Sequence, residues 1–112
     1  MKMIKVEELH KEVNGNSYTR STYMVGRYEV CIDDAAYADG RTRRSISVPE
    51  PYESGCYLPK IYYNEDVFGE KAPDFSIQTT SYGALNSEEF QKFIADQNEA
   101  LEVVETLKKE LL

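Results

Sequence analysis

The chain has 112 residues, the size of one domain, and we expect a single domain over residues 1–112. Its 20 Asp and Glu outnumber its 13 Lys and Arg, which gives a formal net charge of −7 and argues against direct binding of nucleic acid. The start of the chain turns acidic at Glu7 and Glu8, and no apolar run approaches the ~20 residues that span a bilayer. We therefore expect a cytoplasmic protein with neither a signal peptide nor membrane contact.

The first hairpin is the clearest signal in the N-terminal part. Residues 1–85 hold every Gly, Pro and Tyr of the chain, which predicts strands and turns. Within them, Asn14-Gly15 is a strong signal for a two-residue hairpin turn. Residues 2–13 are then expected to be its first strand, although residues 7–13 would also tolerate a helix.

Later strands are predicted by the alternation of apolar and polar residues. The side chains expected to point inward are Tyr28, Val30, Ile32, Ile46, Val48, Ile61, Tyr63, Phe75 and Ile77. Asp39-Gly40 predicts a second hairpin turn. Pro49, Pro51 and Pro59 predict an irregular loop before the last short strands.

The C-terminal part is expected to be one long helix, since residues 86–112 contain no Gly, Pro or Tyr. Asn86 is expected to cap it, with Glu89 completing a capping box. Spacings of three and four predict one buried stripe made of Phe90, Phe93, Ile94, Gln97, Leu101, Val104, Leu107 and Leu111. The predicted fold class is therefore α+β, an antiparallel β-meander of four to six strands over residues 1–85 packed by the helix.

Few side chains suit catalysis or metal binding. His10 is the one histidine, and Cys31 and Cys56 stand outside any C-x-x-C pair. The glycines match none of the phosphate-binding loop patterns. We expect no enzyme, no metal and no cofactor. Two cysteines do not make a disulfide-rich scaffold, and the sequence leaves open whether they pair.

A basic cluster made of Arg41, Arg43 and Arg44 follows the second predicted turn. On a strand, Arg41 and Arg43 would share one face about 6–7 Å apart, a spacing that can hold a carboxylate or a phosphate. The alternative is cross-strand ion pairing with the acids of the preceding strand, which are Glu29, Asp33 and Asp34.

Tyrosine dominates the aromatic residues, with nine Tyr against four Phe and no Trp. Tyr52 and Tyr57, in the proline-rich loop, are candidate contact residues because Tyr combines a rigid apolar ring with a polar hydroxyl. A half-buried sheet uses Tyr equally well. The rings are therefore either a binding surface or part of the sheet packing.

The stretch from Asp74 to Phe90, DFSIQTTSYGALNSEEF, runs on into the amphipathic helix as far as residue 111. It resembles the closing strand, Ser-Tyr-Gly turn and helix of short accessory proteins encoded by bacterial prophages and conjugative elements. The resemblance covers about a third of the chain and carries over no functional residue. It implies an accessory protein of a mobile element, a class in which some small phage proteins are stoichiometric inhibitors of host defence, including anti-CRISPR proteins.

We therefore predict a non-enzymatic protein that binds and inhibits a host protein, with carboxylates placed where nucleic-acid phosphates would lie. The acids expected to act in this way are Asp33, Asp34, Glu99 and Glu102. The alternative is a protein that sequesters a small anionic molecule or nucleotide signal through tyrosine rings and Arg43 or Arg44.

A two-fold homodimer is also expected, because a small open sheet has edge strands that need protection. The dimer would bury either the helix tail around Leu111 or the edge of the first hairpin. If the tail instead folds down on the N-terminal residues, the monomer is complete. A structural oligomer is the second alternative to an inhibitor.

Overall fold

A computed structural model shows the fold and describes residues 1–51, 55–65 and 72–112. The described residues form six strands and one helix: β1 (Ile4–Val13), β2 (Asn16–Val25), β3 (Tyr28–Ala36), β4 (Thr42–Ser47), β5 (Lys60–Asn64), β6 (Asp74–Gln78) and α1 (Ser87–Leu111). The predicted α+β class with one long C-terminal helix is therefore confirmed.

The first four strands form one antiparallel sheet in chain order, which is the meander expected from the turns. β1 and β2 are joined by Asn14 and Gly15, whose φ angles of 53° and 79° are those of a type I′ turn. β1 is thus a strand, and the helix considered for its second half does not form. The pairing shifts between Lys5 and Glu7, so β1 contains a bulge there.

β5 and β6 pair with each other in a separate two-stranded sheet. The predicted four to six strands are therefore a four-stranded meander and an additional pair. Pro49, Pro51 and Pro59 lie between β4 and β5, and proline has no N–H to donate to a sheet ladder. The meander therefore ends at β4, and the pair forms separately.

The core lies between one half of the meander, the β5–β6 pair and α1. The inward positions predicted for β3 are confirmed, since Tyr28, Val30 and Ile32 are all buried, as is Leu107 of α1. The hydroxyl of Tyr28 donates a hydrogen bond to the carbonyl of Pro59, which ties β3 to the start of β5. Burial raises the pKa of Tyr28 above its ordinary value.

α1 begins with the predicted capping box. The side chain of Asn86 accepts a hydrogen bond from the backbone N–H of Glu89, and the Glu89 carboxylate accepts one from the N–H of Asn86. At the other end of the helix, Leu107 is buried and Leu111 packs against the core. The helix tail is therefore covered mainly by its own chain.

The predicted apolar stripe of α1 is only partly buried. The buried face is made of Asp96, Ala100, Val103, Val104 and Leu107. Phe90, Ile94 and Leu101 are instead 51%, 44% and 52% exposed. The apolar positions span a wider arc of the helix than this small fold covers, so one row of them stays at the surface.

The molecule is elongated, with extents of 57 × 33 × 22 Å and a radius of gyration of 16.8 Å. A compact domain of this length would have a radius of about 13 Å. The difference arises because the meander extends beyond its core. We call the part of the meander that packs on α1 the core end, and the part bordered by the turns at residues 14–15 and 37–41 the far end.

Candidate functional site

A shallow cleft lies at the far end, on the face of the meander that points away from α1. In β3, Val30 and Ile32 point into the core, so the alternating residues Asp33 and Ala35 point away from it. The cleft has a volume of about 450 Å³, and its walls include Leu9, Lys11, Tyr18, Ala35, Tyr37 and Arg43. We call it the far-end cleft.

One row of side chains across the four strands forms the centre of this cleft. Lys11 lies opposite Tyr18, Tyr18 opposite Ala35, and Ala35 opposite Arg43. The small side chain of Ala35 leaves a depression between the Tyr18 ring and Arg43. The ring of Tyr37 meets that of Tyr18 edge to face, with centroids 6.4 Å apart. The depression is therefore bordered by aromatic rings on one side and a guanidinium on the other.

Arg43 differs from the arginines around it. Arg20 donates two hydrogen bonds to Asp33, at 2.7 and 3.1 Å, and Arg44 donates two to Asp34 at the same distances. These bonds raise the pKa of both Arg20 and Arg44. Among the described residues Arg43 has no carboxylate partner, so its guanidinium is available to a ligand.

The predicted two-arginine clamp does not form. β4 begins at Thr42, and Arg41 lies in the preceding turn, where its Nε donates to the Asp39 carboxylate at 2.7 Å. Arg41 therefore does not share a strand face with Arg43. The cross-strand alternative is correct for Arg44, which lies directly opposite Asp34.

Three of the four acids predicted to imitate phosphates are engaged by arginines. Asp33 and Asp34 accept the hydrogen bonds described above, and Glu99 accepts from the Nε of Arg27 at 3.0 Å. Glu102 lies exposed on α1. The charges that acidic mimicry would use are thus largely neutralised within the chain.

Glu99 belongs to a cluster that locks α1 to the core end. Arg27, in the turn between β2 and β3, donates to Glu99 and to the buried Asp96. Its pKa is raised, first by the hydrogen bonds to Glu99 and then by those to Asp96. Asp96 also accepts from the backbone N–H of Tyr57 at 2.7 Å, and Gln97 donates to the Tyr57 carbonyl at 2.7 Å. Glu99 therefore has a structural role.

Tyr57, one of the two predicted contact tyrosines, is not part of the cleft. Tyr57 packs at the core end, its ring centroid 4.9 Å from that of Tyr82 and 6.3 Å from that of Phe93. The hydroxyl of Tyr57 lies 3.4 Å from a carboxylate oxygen of Glu89. Tyr52 lies outside the described residues. The aromatic rings of the cleft are Tyr18 and Tyr37 instead.

The sequence did contain a signal for part of this site. A two-residue turn at residues 14–15 fixes the register of its hairpin, and that register places Lys11 opposite Tyr18. The register of β3 depends on the turn at residues 26–27, and that of β4 depends on the second predicted turn, after which the strand begins at Thr42 rather than Arg41. Tyr37 and the opening beside Ala35 were therefore missed.

The described part of the chain contains no group of three or more His, Cys, Asp or Glu that could hold a metal ion. Cys31 and Cys56 are free thiols. Within the same residues, no helix is long and apolar enough to cross a membrane. In comparisons with known proteins, no family model, curated protein or solved structure matches this chain.

Proposed function

We propose that this chain is a non-enzymatic binding protein of the cytoplasm that holds a small anionic molecule with a planar ring, such as a nucleotide, in the far-end cleft. The observation that carries this proposal is the contrast among the arginines. Arg20, Arg41 and Arg44 each bind a carboxylate, while Arg43 faces the cleft without one among the described residues.

The walls of the cleft suit the two parts of such a ligand. The guanidinium of Arg43 can donate two parallel hydrogen bonds to a phosphate. The depression above Ala35 accommodates a flat ring against the side chain of Tyr18. An open cleft of about 450 Å³ fits a ligand of this size and leaves one side in water.

Titration calorimetry with ADP, with inorganic phosphate and with adenosine tests the proposal. ADP should bind more tightly than either fragment, because it uses both Arg43 and the ring site. Arg43→Gln should weaken ADP binding about 10- to 100-fold, the value of a hydrogen-bonded charge. Tyr18→Leu should weaken ADP and adenosine but leave phosphate unchanged.

Arg41→Gln is the matched control, since it removes an arginine of the same region that is already bound to Asp39. It should leave the affinity for ADP close to that of the wild type. If Arg41→Gln and Arg43→Gln lowered the affinity for ADP equally, the loss would reflect the change in net charge and not a contact made by Arg43. Absence of ADP binding at millimolar concentration would reject a nucleotide ligand.

A second candidate function is the inhibition of a host defence protein by a mobile-element accessory protein. The exposed row Phe90, Ile94 and Leu101 favours it, because apolar residues at helical spacing with an acid beside them suit a groove on a partner. Glu102 would supply the acidic contact. Leu101→Ser should abolish a stoichiometric complex with such a partner on size-exclusion chromatography, and Glu102→Lys should slow its formation. Retention of the complex by Leu101→Ser would exclude this surface.

A further inference from the structure

The edge of β1 is the longest unpaired strand edge of the described fold. β1 lies at one end of the meander, pairs only with β2 there, and all ten of its residues are exposed. Its apolar side chains Ile4, Val6 and Leu9 are each more than half exposed. Edge strands are normally shortened, bulged, interrupted by proline, covered or lined with charged side chains. β1 has a bulge near Val6 and five charged side chains, but these leave residues 7–13 regular and the outward backbone groups of the strand unoccupied.

The hairpin turn determines which backbone groups of β1 point outward. A two-residue turn makes Val13 and Asn16 a hydrogen-bonded pair, and such pairs alternate along an antiparallel ladder. Residues 7, 9, 11 and 13 therefore bond to β2. Glu8, His10 and Glu12 turn their N–H and C=O groups to the open edge, where another strand can bind them.

We infer that β1 pairs antiparallel with β1 of a second copy of this chain, around a two-fold axis at Leu9. In this register Leu9 faces Leu9, Glu7 faces Lys11 and Glu8 faces His10 of the second copy. Both Glu8–His10 pairs fall on outward-pointing backbone groups, so each exchanges two hydrogen bonds. The side chains across the interface pair oppositely charged or polar groups, and the central contact is apolar.

Symmetry leaves few other registers. A two-fold axis normal to the sheet must lie between one residue and the same residue of the second copy. This follows because side chains that are directly opposite each other lie on the same side of the sheet. An axis at Glu8 would oppose Glu8 to itself and Lys5 to Lys11. An axis at His10 would oppose Glu8 to Glu12. Both place like charges directly opposite each other, which destabilises a strand pair.

This inference does not depend on a ligand in the far-end cleft. The dimer would join the two meanders into one eight-stranded sheet, with one cleft on each side of the axis. Lys11 would meet Glu7 of the second copy, and Arg43, three strands away, would stay open to the cleft. Leu9 and Lys11 belong to both the cleft wall and this interface, so the two proposals are separated by mass measurements without ADP, which report on the dimer, and by Arg43→Gln in ADP titrations, which reports on the cleft.

A charge-swap experiment tests the register by sedimentation velocity from micromolar to millimolar concentration. The wild type should move from the monomer mass of 12.9 kDa to twice that mass. Glu7→Lys and Lys11→Glu should each weaken the dimer by about tenfold or more, since each makes two like-charge contacts. An equimolar mixture of the two variants should dimerise like the wild type, because every Glu7–Lys11 contact is again between opposite charges.

A cysteine pair gives an independent reading of the register. In a chain carrying Cys31→Ala and Cys56→Ser, Leu9→Cys should form a disulfide-linked dimer under a mild thiol oxidant. The two Cα atoms of such a pair lie about 4.5 Å apart, within disulfide range. Lys11→Cys is the control, because its two copies would lie about 13 Å apart and should not link.

A wild type that keeps the monomer mass at millimolar concentration would overturn the inference. So would a mixture of Glu7→Lys and Lys11→Glu that stays monomeric, or crosslinking of Lys11→Cys as fast as Leu9→Cys. Circular dichroism of each variant checks that the fold is retained, as expected for exposed positions of an edge strand.

Discussion

Arginine–carboxylate pairs stabilise both ends of this molecule, but their surroundings differ. At the core end, Arg27 binds Glu99 and the buried Asp96, and joins a turn of the meander to a helix about 70 residues away in sequence. At the far end, Arg20–Asp33 and Arg44–Asp34 lie on exposed strands and join neighbours in the same sheet.

The difference lies in what each pair replaces. In an exposed pair, each charged group gives up hydrogen bonds to water and gains bonds of similar strength to its partner. Such a pair therefore contributes about 0–1 kcal/mol to the free energy of unfolding. At the core end Asp96 is almost fully buried, so removing it leaves the Tyr57 N–H without an acceptor and takes one of two counter-ions from Arg27, which costs about 3 kcal/mol. The core end therefore carries the stability of the fold. The far end carries exposed charges, so substitutions there should change the free energy of unfolding little.

The largest effect that would test this comparison is expected at Asp96. Asp96→Ala removes a carboxylate that serves both Arg27 and the backbone N–H of Tyr57. It should lower the free energy of unfolding by about 3 kcal/mol in urea titrations followed by circular dichroism. Asp34→Ala at the far end should cost no more than about 1 kcal/mol. Equal losses at the two positions would contradict the division into two ends.

Tyr28 gives a pH-dependent test of the core end. Its pKa is raised by burial, so above pH 10 the unfolded chain loses a proton that the folded chain keeps. The stabilisation is complete below the ordinary pKa and falls by about 1.4 kcal/mol per pH unit above it. Tyr28→Phe should make the alkaline fall in stability shallower by that amount.

At neutral pH the same variant should cost about 1–2 kcal/mol, because the carbonyl of Pro59 loses its donor. Urea titrations of both proteins at pH 8, 10 and 11 measure both effects. An unchanged alkaline slope in Tyr28→Phe would show that this phenol ionises equally in the folded and unfolded chain.

Local patterns predicted the elements of this fold well. The type I′ turn at Asn14-Gly15, the inward face of β3 and the capping box at Asn86 each depend on a few neighbouring residues. Helical spacing also identified an apolar side of α1. It could not tell how much of that side the rest of the chain covers, so the exposure of Leu101 was missed.

The candidate site was harder to predict because it depends on pairing between strands. Arg43 and Arg44 are adjacent in sequence, and only the register of β4 against β3 decides which of them meets Asp34. The partner of Arg27 lies beyond any local pattern, since the contact closes a loop of most of the chain. Composition could suggest that arginines and acids pair, but not which ones.

Two turn glycines, one at each end of the molecule, test the comparison of the core end and the far end with an effect of intermediate size. Gly26 and Gly15 have φ angles of +59° and +79°, which strain any other residue by about 1–2 kcal/mol. A Cβ on Gly26 would meet the end of the Met1 side chain at 3.3 Å and Glu99 and Val103 of α1 at 3.4 Å, which are contacts the core end can accommodate. Gly26→Ala should therefore lower global stability, measured in urea, by about the strain alone.

Gly15→Ala should act locally, because a Cβ there meets only Ala38 at 3.3 Å. Hydrogen exchange should show faster exchange of the amides next to the turn, with the helix amides changed little. Faster exchange of the helix amides in Gly15→Ala would mean that the far end unfolds together with the core.

The smallest effect is expected for the exposed arginines of the far end. Arg44→Gln removes a bidentate pair whose partners are both largely in water, so it should cost no more than about 1 kcal/mol, and Arg20→Gln, on a fully exposed arginine, should have a smaller effect still. Part of that cost should vanish at about 1 M salt, where charges more than ~3 Å apart are screened. Urea titrations at low and high salt measure it. If Arg44→Gln instead lowered the free energy of unfolding by more than about 2 kcal/mol at both salt concentrations, its pair would stabilise the fold as strongly as the Arg27 cluster does. The far end would then contribute to the stability of the whole fold.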